Sequence, residues 1–368
     1  MTNVTLVSSP MDGSCGIGTY ARSLLSGFED EVEVNVVTLN THAEGLRAIP
    51  SYVLAAFRAG RSTDDVVHVQ HEYGLFGTKW YLLWVFYPLL FVFTRLHGTP
   101  VLITVHEAWN ADRVDPPLER VKAAYIWLAN RLIAGTATSM IFLSANCEQK
   151  FTRSVPVENS HTITHGVDDQ TIDVPKSQAK EHFGFDPDDT VITEPGYVRP
   201  SKGYETFLEI ADQMPDYEFL VAGGSRGADD YFESIVESAP ENVTVTGHLE
   251  DEEFHLAFRA TDIAVLPYNE VAQSGIFNTC VAYRLPTVTS NRPYFERLST
   301  EYDCLLTFES VAGAADQITI VLEEPATRRQ LSRGLQRFED ENHFDSIREK
   351  HISLYNSLGK RLDSPRAR

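Results

Sequence analysis

Arg199 and Lys202 fall three residues apart in the glycine-bounded segment "GYVRPSKG" (196–203), in a chain whose formal charge is −21. An apolar, β-like run precedes them and a helical run follows. That places a guanidinium fork and an ammonium beside a helix N-terminus, where free N–H groups suit a phosphate or diphosphate. Two solvated surface cations are the plain alternative. The same half contains "QSGIFNTCVAYRLP" (273–286), a second glycine loop opening a helix. Its backbone N–H groups near Ser274 and Gly275 suit the same anion. Two helix N-termini and two cations are what a bound diphosphate needs.

The first half carries its polar groups at strand ends. "SPMDGSCGIGTYARSLL" follows the first strand, and Gly13, Gly16 and Gly18 allow a tight turn into a helix whose first N–H groups face an anion or a sugar. The spacing is GxxGxG, not the dinucleotide GxGxxG, and no P-loop lysine is present. "QHEYGLFG" (70–77) places His71 and Glu72 after the third strand, and "LITVHEAW" (102–109) places His106 and Glu107 after the fourth. A core histidine is the plain reading of either one alone; two at successive strand ends point to a shared cleft. No DxD-like metal motif follows a strand, and the acidic pair at 64–65 precedes one. The cysteines Cys15, Cys147, Cys280 and Cys304 form no CxxC pair. Neither a metal site nor a disulfide framework is expected, and a reducing compartment is the default.

The elements that must position these residues alternate short apolar β-rich runs with helical ones. Strands are expected at 3–7, 32–39, 65–70, 101–106 and 140–144, with helical stretches near 19–27, 51–59, 79–96 and 117–134. The rhythm pauses over the polar, acidic stretch 166–189. It resumes with strands at 190–196, 217–224, 242–247, 262–268 and 286–290. This predicts an α/β protein of two doubly wound, mostly parallel domains: 1–168, a linker at 169–189, 190–340, then a closing helix and tail at 341–368. Ligands of such sheets lie beyond the carboxyl ends of the strands, which is where the motifs fall.

At 368 residues the chain suits two domains. With 52 Asp plus Glu against 31 Lys plus Arg it has no basic excess for broad nucleic-acid binding, and its acidic surface suits high salt. The N-terminus "MTNVTLVSSPMDG" has no basic region and no long apolar run, and reads as a strand rather than a signal peptide. One apolar stretch stands out, "WYLLWVFYPLLFVFT" (80–94), flanked by Lys79 and Arg95. It is short of the ~20 residues that span a bilayer, and Pro88 lies inside it. A buried or half-buried helix is the plain reading. The sharper reading is a peripheral membrane contact through 80–94, since Trp, Tyr and Phe favour the interface.

Taken in order, "CGIGTYA", "VVHVQHEYGLFG", "ITVHEAW", "ITHGVD", "GYVRPSKG", "NVTVTGHLEDEEFHLAFRATDIAVLPY", "SGIFNTCVAYRLPTVTS" and "FDSIREKHISLY" resemble retaining glycosyltransferases of the GT-B fold, glycosyltransferase family 4. The likeness runs over nearly the whole chain, and the "HEYGLFG" and "SG" variants look like one branch. It implies two Rossmann-like domains facing across a cleft, with a C-terminal helix crossing back. The first would bind the acceptor and the second a nucleotide-diphosphate sugar.

By that resemblance Arg199 and Lys202 neutralise the donor diphosphate, Gly16 and Gly18 let it approach, and His106 lies near the donor sugar. Ser274 and Gly275 form the loop over the phosphates. His71, Glu72 and Glu107 remain candidates on the acceptor side, and no metal or other cofactor is implied. Two features depart from the family pattern. Tyr197 stands where the family often has its arginine, so Arg199 acts from two positions on. The family's two glutamates, with seven residues between them, fall on Val271 and Thr279. Glu270 then takes the first role from one residue away, and Thr279 stands where a carboxylate would grip the ribose.

The implied function is transfer of a hexose to a glycan or lipid-linked acceptor, in the cytoplasm or at the cytoplasmic face of the membrane, for a cell-surface glycan or glycoprotein. Another GT-B activity (an epimerase or a phosphorylase) and a non-catalytic partner subunit are the alternatives.

Overall fold

The computed structural model of the chain describes residues 1–12, 15–28, 31–41, 45–77, 80–109, 117–167, 171–225 and 229–363. They form two compact units, residues 1–166 with 344–368 and residues 167–343.

The first unit is built on six parallel strands, β1 (Thr2–Ser8), β2 (Val32–Thr38), β3 (Val66–His71), β4 (Val101–Val105), β5 (Ser139–Phe142) and β6 (Ser160–Thr162), in the order β2-β1-β3-β4-β5-β6. The inner strands β3 and β4 are buried throughout and hold three valine or isoleucine residues each, as parallel strands covered on both faces must. β3 is buried along its whole length, although three of its six residues are His68, Gln70 and His71. α2 (Ile49–Gly60), α3 (Leu83–His97), α4 (Glu119–Thr136) and α5 (Ala145–Thr152) pack on one face through Ala56, Phe86, Leu90, Ile133 and Phe151. α1 (Gly16–Leu25) and α14 (Phe344–Asp363) cover the other, with Tyr20, Leu24, Ile347 and Tyr355 against Val4, Leu102 and Ile141. The C-terminal helix therefore does return to the first unit.

The second unit repeats the plan with β7 (Val191–Pro195), β8 (Glu218–Ala222), β9 (Val243–Val245), β10 (Ile263–Leu266), β11 (Thr287–Ser290) and β12 (Leu306–Phe308), in the order β12-β11-β10-β7-β8-β9 and again all parallel. Its helices are α6 (Lys176–His182), α7 (Tyr204–Gln213), α8 (Asp230–Ser238), α9 (Asp251–Ala260), α10 (Gly275–Ala282), α11 (Pro293–Tyr302), α12 (Val311–Glu323) and α13 (Pro325–Asn342). Strand order reverses between β1 and β3 in the first unit and between β7 and β10 in the second. Loops leaving the carboxyl ends at such a point diverge and open a crevice.

Two strands lie outside the sequence expectation, β6 and β12, each three residues long at a sheet edge. A third addition is α6, inside the stretch read as a pause. It is pinned to the second unit by Lys176 and Lys180, whose ammonium groups lie 2.6 and 2.9 Å from the carboxylate of Asp262. Asp262 also accepts from the Val191 backbone N–H at 2.9 Å, and these bonds hold its carboxyl below the usual range against the cost of burial.

The apolar stretch at 80–94 forms a turn and most of α3. Leu83, Phe86, Tyr87, Leu90 and Thr94 are buried, while Phe91 and Val92 are exposed. Among the described residues no helix is long and apolar enough to cross a membrane.

Candidate functional site

In the second unit the reversal point is built from two loops. β7 ends at Pro195, the chain turns through Arg199 into a single 3-10 turn, Pro200–Lys202, and Gly203 then starts α7. Gly203 has φ +79°, and a Cβ there would lie 2.2 Å from the Pro267 carbonyl oxygen, so no other residue fits without moving the β10 loop. Tyr204 Oη donates to the Gly196 carbonyl at 2.9 Å. The loop after β10 is stitched to this turn: the Asn269 and Glu270 N–H groups donate to the Ser201 carbonyl at 3.0 and 3.3 Å, and Asn269 Nδ2 donates to Pro200 at 2.8 Å. The two loops are one platform.

Lys202 lies on that platform with its ammonium 3.6 Å from the centroid of the buried Tyr268 ring. Burial, with the Arg199 guanidinium beside it, brings its pKa down to about 7. Arg199 itself is exposed. Beneath them is a carboxylate that the motif reading passed over. Glu194 is fully buried in β7, neither of its oxygens has a hydrogen-bond partner among the described residues, and burial pushes its carboxyl well above the usual range. Its sequence signal was available: a lone acid inside the apolar strand "VITEPG".

α10 supplies the second N-terminus. Ser274 caps it, its hydroxyl accepting from the Phe277 N–H at 3.1 Å, and a Cβ on Gly275 would meet nothing within 4 Å. Glu270 is exposed on the β10 loop. Thr279 lies one turn into α10, and its hydroxyl donates back to the Gly275 carbonyl at 3.2 Å.

The first unit places His106 just past β4 and nearly buried, with its ring edge-on to Tyr20 at 5.0 Å between centroids. Its Nε2 lies 2.7 Å from Gln70 Oε1, which can only accept, so Nε2 carries the proton. The Gln70 amide donates in turn to His68 Nε2 at 3.3 Å. Thr104 Oγ1 donates to the same nitrogen at 2.8 Å, and His68 Nδ1 donates to Tyr355 Oη at 2.7 Å. The chain of bonds is consistent with two neutral imidazoles and ties His106 to α14. Burial, with His165 and His71 nearby, lowers the His106 pKa to about 3. Tyr20 also lies 4.9 Å from His165, ring to ring. Gln70, Tyr20 and His165 were in quoted motifs, but only the fold shows that they surround His106.

His71 is on the opposite face of β3. Its ring packs on Tyr73, Phe76 and Tyr87, Nδ1 is 2.9 Å from Tyr87 Oη, and burial lowers its pKa to about 3. Glu72 opens the short turn Tyr73–Phe76, half-buried, and Glu107 is exposed beyond His106. Gly16 starts α1 with open space around it, whereas a Cβ on Gly18 would lie 1.8 Å from the Pro10 carbonyl oxygen. Gly18 thus lets the chain's own loop cross the helix. Gly13 and Lys79 lie outside the described residues.

Residues 175–337 match the family model of glycosyl transferases group 1. A D-inositol 3-phosphate glycosyltransferase of Mycobacterium sp. (strain KMS) is 26% identical over 234 residues, covering 59% of this chain and 51% of the relative. The processive diacylglycerol alpha-glucosyltransferase of Acholeplasma laidlawii is 23% identical over 203 residues, covering 53% and 61%. The chain thus spans about half of the former relative's length. Among solved structures, Anabaena Alr3699/HepE in complex with UDP and glucose superposes with a TM-score of 0.75 at 12% identity, covering 97% of this chain and all of that one (100%). Sucrose-phosphate synthase from Thermosynechococcus elongatus gives 0.73 at 17% identity, covering 97% and 99%. These likenesses show the GT-B fold.

Proposed function

We propose that the protein is a retaining hexosyltransferase, moving a hexose from a nucleotide-diphosphate sugar to a glycan or lipid-linked acceptor, a reading supported by the match of residues 175–337 to the family model of glycosyl transferases group 1. The observation that carries the reading is the joined platform of the second unit. There the Arg199–Lys202 turn is hydrogen-bonded to the loop leading to the N-terminus of α10.

Arg199, Lys202 and the N–H groups at Ser274 and Gly275 hold the donor diphosphate. As the bond from the sugar carbon to the phosphate oxygen breaks, negative charge grows on that oxygen. Fixed cations and helix N–H groups stabilise it without having to reorganise. The acceptor hydroxyl bonds to the same face of the sugar carbon and gives its proton to the departing phosphate oxygen. Lys202 is suited to this work because Tyr268 fixes its ammonium and because an arriving anion favours its charged form.

Glu270 serves the sugar or nucleotide from the β10 loop, and Thr279 is the poorer ribose contact, its hydroxyl being engaged with its own helix. His106 hydrogen-bonds the transferred sugar as a neutral imidazole, its tautomer set by Gln70. Gly16 leaves room for phosphate at the start of α1 and Gly18 shapes the loop above it. The first unit binds the acceptor, with Glu72 and Glu107 as its polar candidates and His71 supporting them from the core. Relatives named for diacylglycerol-linked substrates support a lipid acceptor.

The test is donor hydrolysis or transfer by the purified chain across a panel of nucleotide sugars. Release of a nucleoside diphosphate with one of them supports the reading. Turnover with inorganic phosphate and a sugar polymer instead would mark a phosphorylase, and binding without turnover a non-catalytic subunit.

A further inference from the structure

α2, α3 and α4 form one layer on the first unit's sheet, α2 against α3 and α3 against α4. Their outer side is apolar to an unusual degree. Leu54 and Phe57 are exposed on α2, Phe91 and Leu96 on α3, and Trp127 and Leu128 on α4, with the three aromatic rings each about 40% exposed. Apolar residues scattered singly on a surface need no explanation, but exposed rings and leucines on each of three neighbouring helices do.

The charges on this layer are the reverse of those on the chain. The three helices hold one carboxylate, Glu119, against Arg58, Arg95, Arg120, Lys122 and Arg131, within a protein of formal charge −21. Three arginines cover the three exposed rings: Arg61 lies 5.0 Å from the centroid of Phe57, Arg95 5.2 Å from Phe91 and Arg131 5.6 Å from Trp127. Arg95 and Arg131 also line a cavity of about 400 Å³ together with Thr138, Glu158 and Asn159. Glu158 is the one carboxylate among its lining residues.

We propose that the α2–α3–α4 layer docks on the surface of a lipid bilayer bearing anionic headgroups. The aromatic and leucine side chains enter the boundary between headgroups and acyl chains, and the arginines resting on them meet the phosphates. The cavity takes one such headgroup between Arg95 and Arg131. Charge also sets the orientation, because the strongly acidic remainder of the protein is repelled by an anionic leaflet. It disfavours a second copy of the chain as the occupant, since two cationic layers repel each other.

The experiment is co-sedimentation of the full chain with vesicles of phosphatidylcholine and with vesicles of equimolar phosphatidylcholine and phosphatidylglycerol, at low ionic strength and without nucleotide sugar. The expected result is partition onto the anionic vesicles alone. Each of Arg95→Gln and Arg131→Gln weakens it about fivefold, and Phe91→Ser with Trp127→Ser abolishes it. The affected side chains are exposed, so unchanged thermal unfolding of the variants shows that they remain folded. No partition, equal partition on both vesicles, or a dimer in sedimentation that Phe91→Ser dissociates would each overturn the proposal. Because no donor is present, failure here leaves the proposed transfer standing, and failure of transfer leaves the membrane contact standing.

Discussion

The ammonium of Lys202 sits 3.6 Å from the centre of the Tyr268 ring, on a turn whose backbone is hydrogen-bonded to the loop that follows Tyr268 itself. The loop that fixes the cation also leads to the N-terminus of α10, so cation and helix end are positioned by one structure. That coupling is the reason to expect a diphosphate there rather than two unrelated surface charges.

Replacing Lys202 therefore tests the coupling. Lys202→Ala removes a charge without removing core packing, since Tyr268 remains. Its thermal midpoint is expected to stay within a few degrees of the parent's, while transfer falls by about 10²- to 10³-fold, as when one transition-state stabiliser is lost. Steady-state kinetics with a fixed acceptor check this. Undiminished turnover would remove Lys202 from the reaction.

The pKa of about 7 in the free protein makes a second expectation. Above about pH 7 Lys202 is largely neutral, and a bound diphosphate raises its pKa back toward the ordinary lysine range. Binding at about pH 8 must then take up close to one proton, and affinity must fall as pH rises, by at most about tenfold per unit. Calorimetry in two buffers of different ionisation enthalpy measures the uptake. Lys202→Ala should show none.

Gln70 is expected to act through His106 rather than on substrate. Gln70→Leu leaves the His106 Nε2–H without its acceptor, and kcat should drop by about tenfold while nucleoside diphosphate affinity is unchanged. Gln70→Glu restores the acceptor but adds a charge that favours imidazolium. The pH–rate profile should then show its acid limb displaced toward neutrality, which a purely structural residue would not do.

Much of this arrangement was legible in the sequence and some was not, for physical reasons. Strands such as "VLITVH" and "DIAVLPY" announce themselves because a parallel strand covered on both faces must be apolar and β-branched. "SHT" (β6) and "LTF" (β12) do not, because three residues at a sheet edge carry no such pattern. α6 was hidden in an acidic stretch, its place fixed by the Lys176 and Lys180 bridges to Asp262, distant in sequence. Arg199 and Lys202 could be found because cations flanked by glycines after a strand are rare in so acidic a chain. Glu194 was visible as a lone acid in an apolar strand, but its lack of a partner, like the bonds of Gln70, needed the fold, since whether a polar residue in a strand points at a partner or at nothing depends on helices elsewhere.

Acid should loosen the first unit in particular. His71 and His106 titrate at about 3 and His351 at about 4, each depressed by burial from 6.5. Between those values and 6.5 the unfolded chain binds more protons than the folded one. The stabilisation is therefore complete above about pH 6.5 and lost as pH falls, by up to ~1.4 kcal/mol per group per unit. Denaturant unfolding followed from neutral pH to about pH 4 should show the midpoint declining steadily. A flat midpoint would mean that these imidazoles are not buried in solution.

The most direct test of the central claim is thermal unfolding of the purified chain with each nucleoside diphosphate, alongside Lys202→Ala. A ligand that binds the folded state alone must raise the midpoint, by the equivalent of about 2.7 kcal/mol at a hundredfold excess over its dissociation constant. The account predicts a clear rise with one nucleoside diphosphate and its loss in the variant. A folded protein whose midpoint moves with none of them, or moves equally in Lys202→Ala, would contradict it.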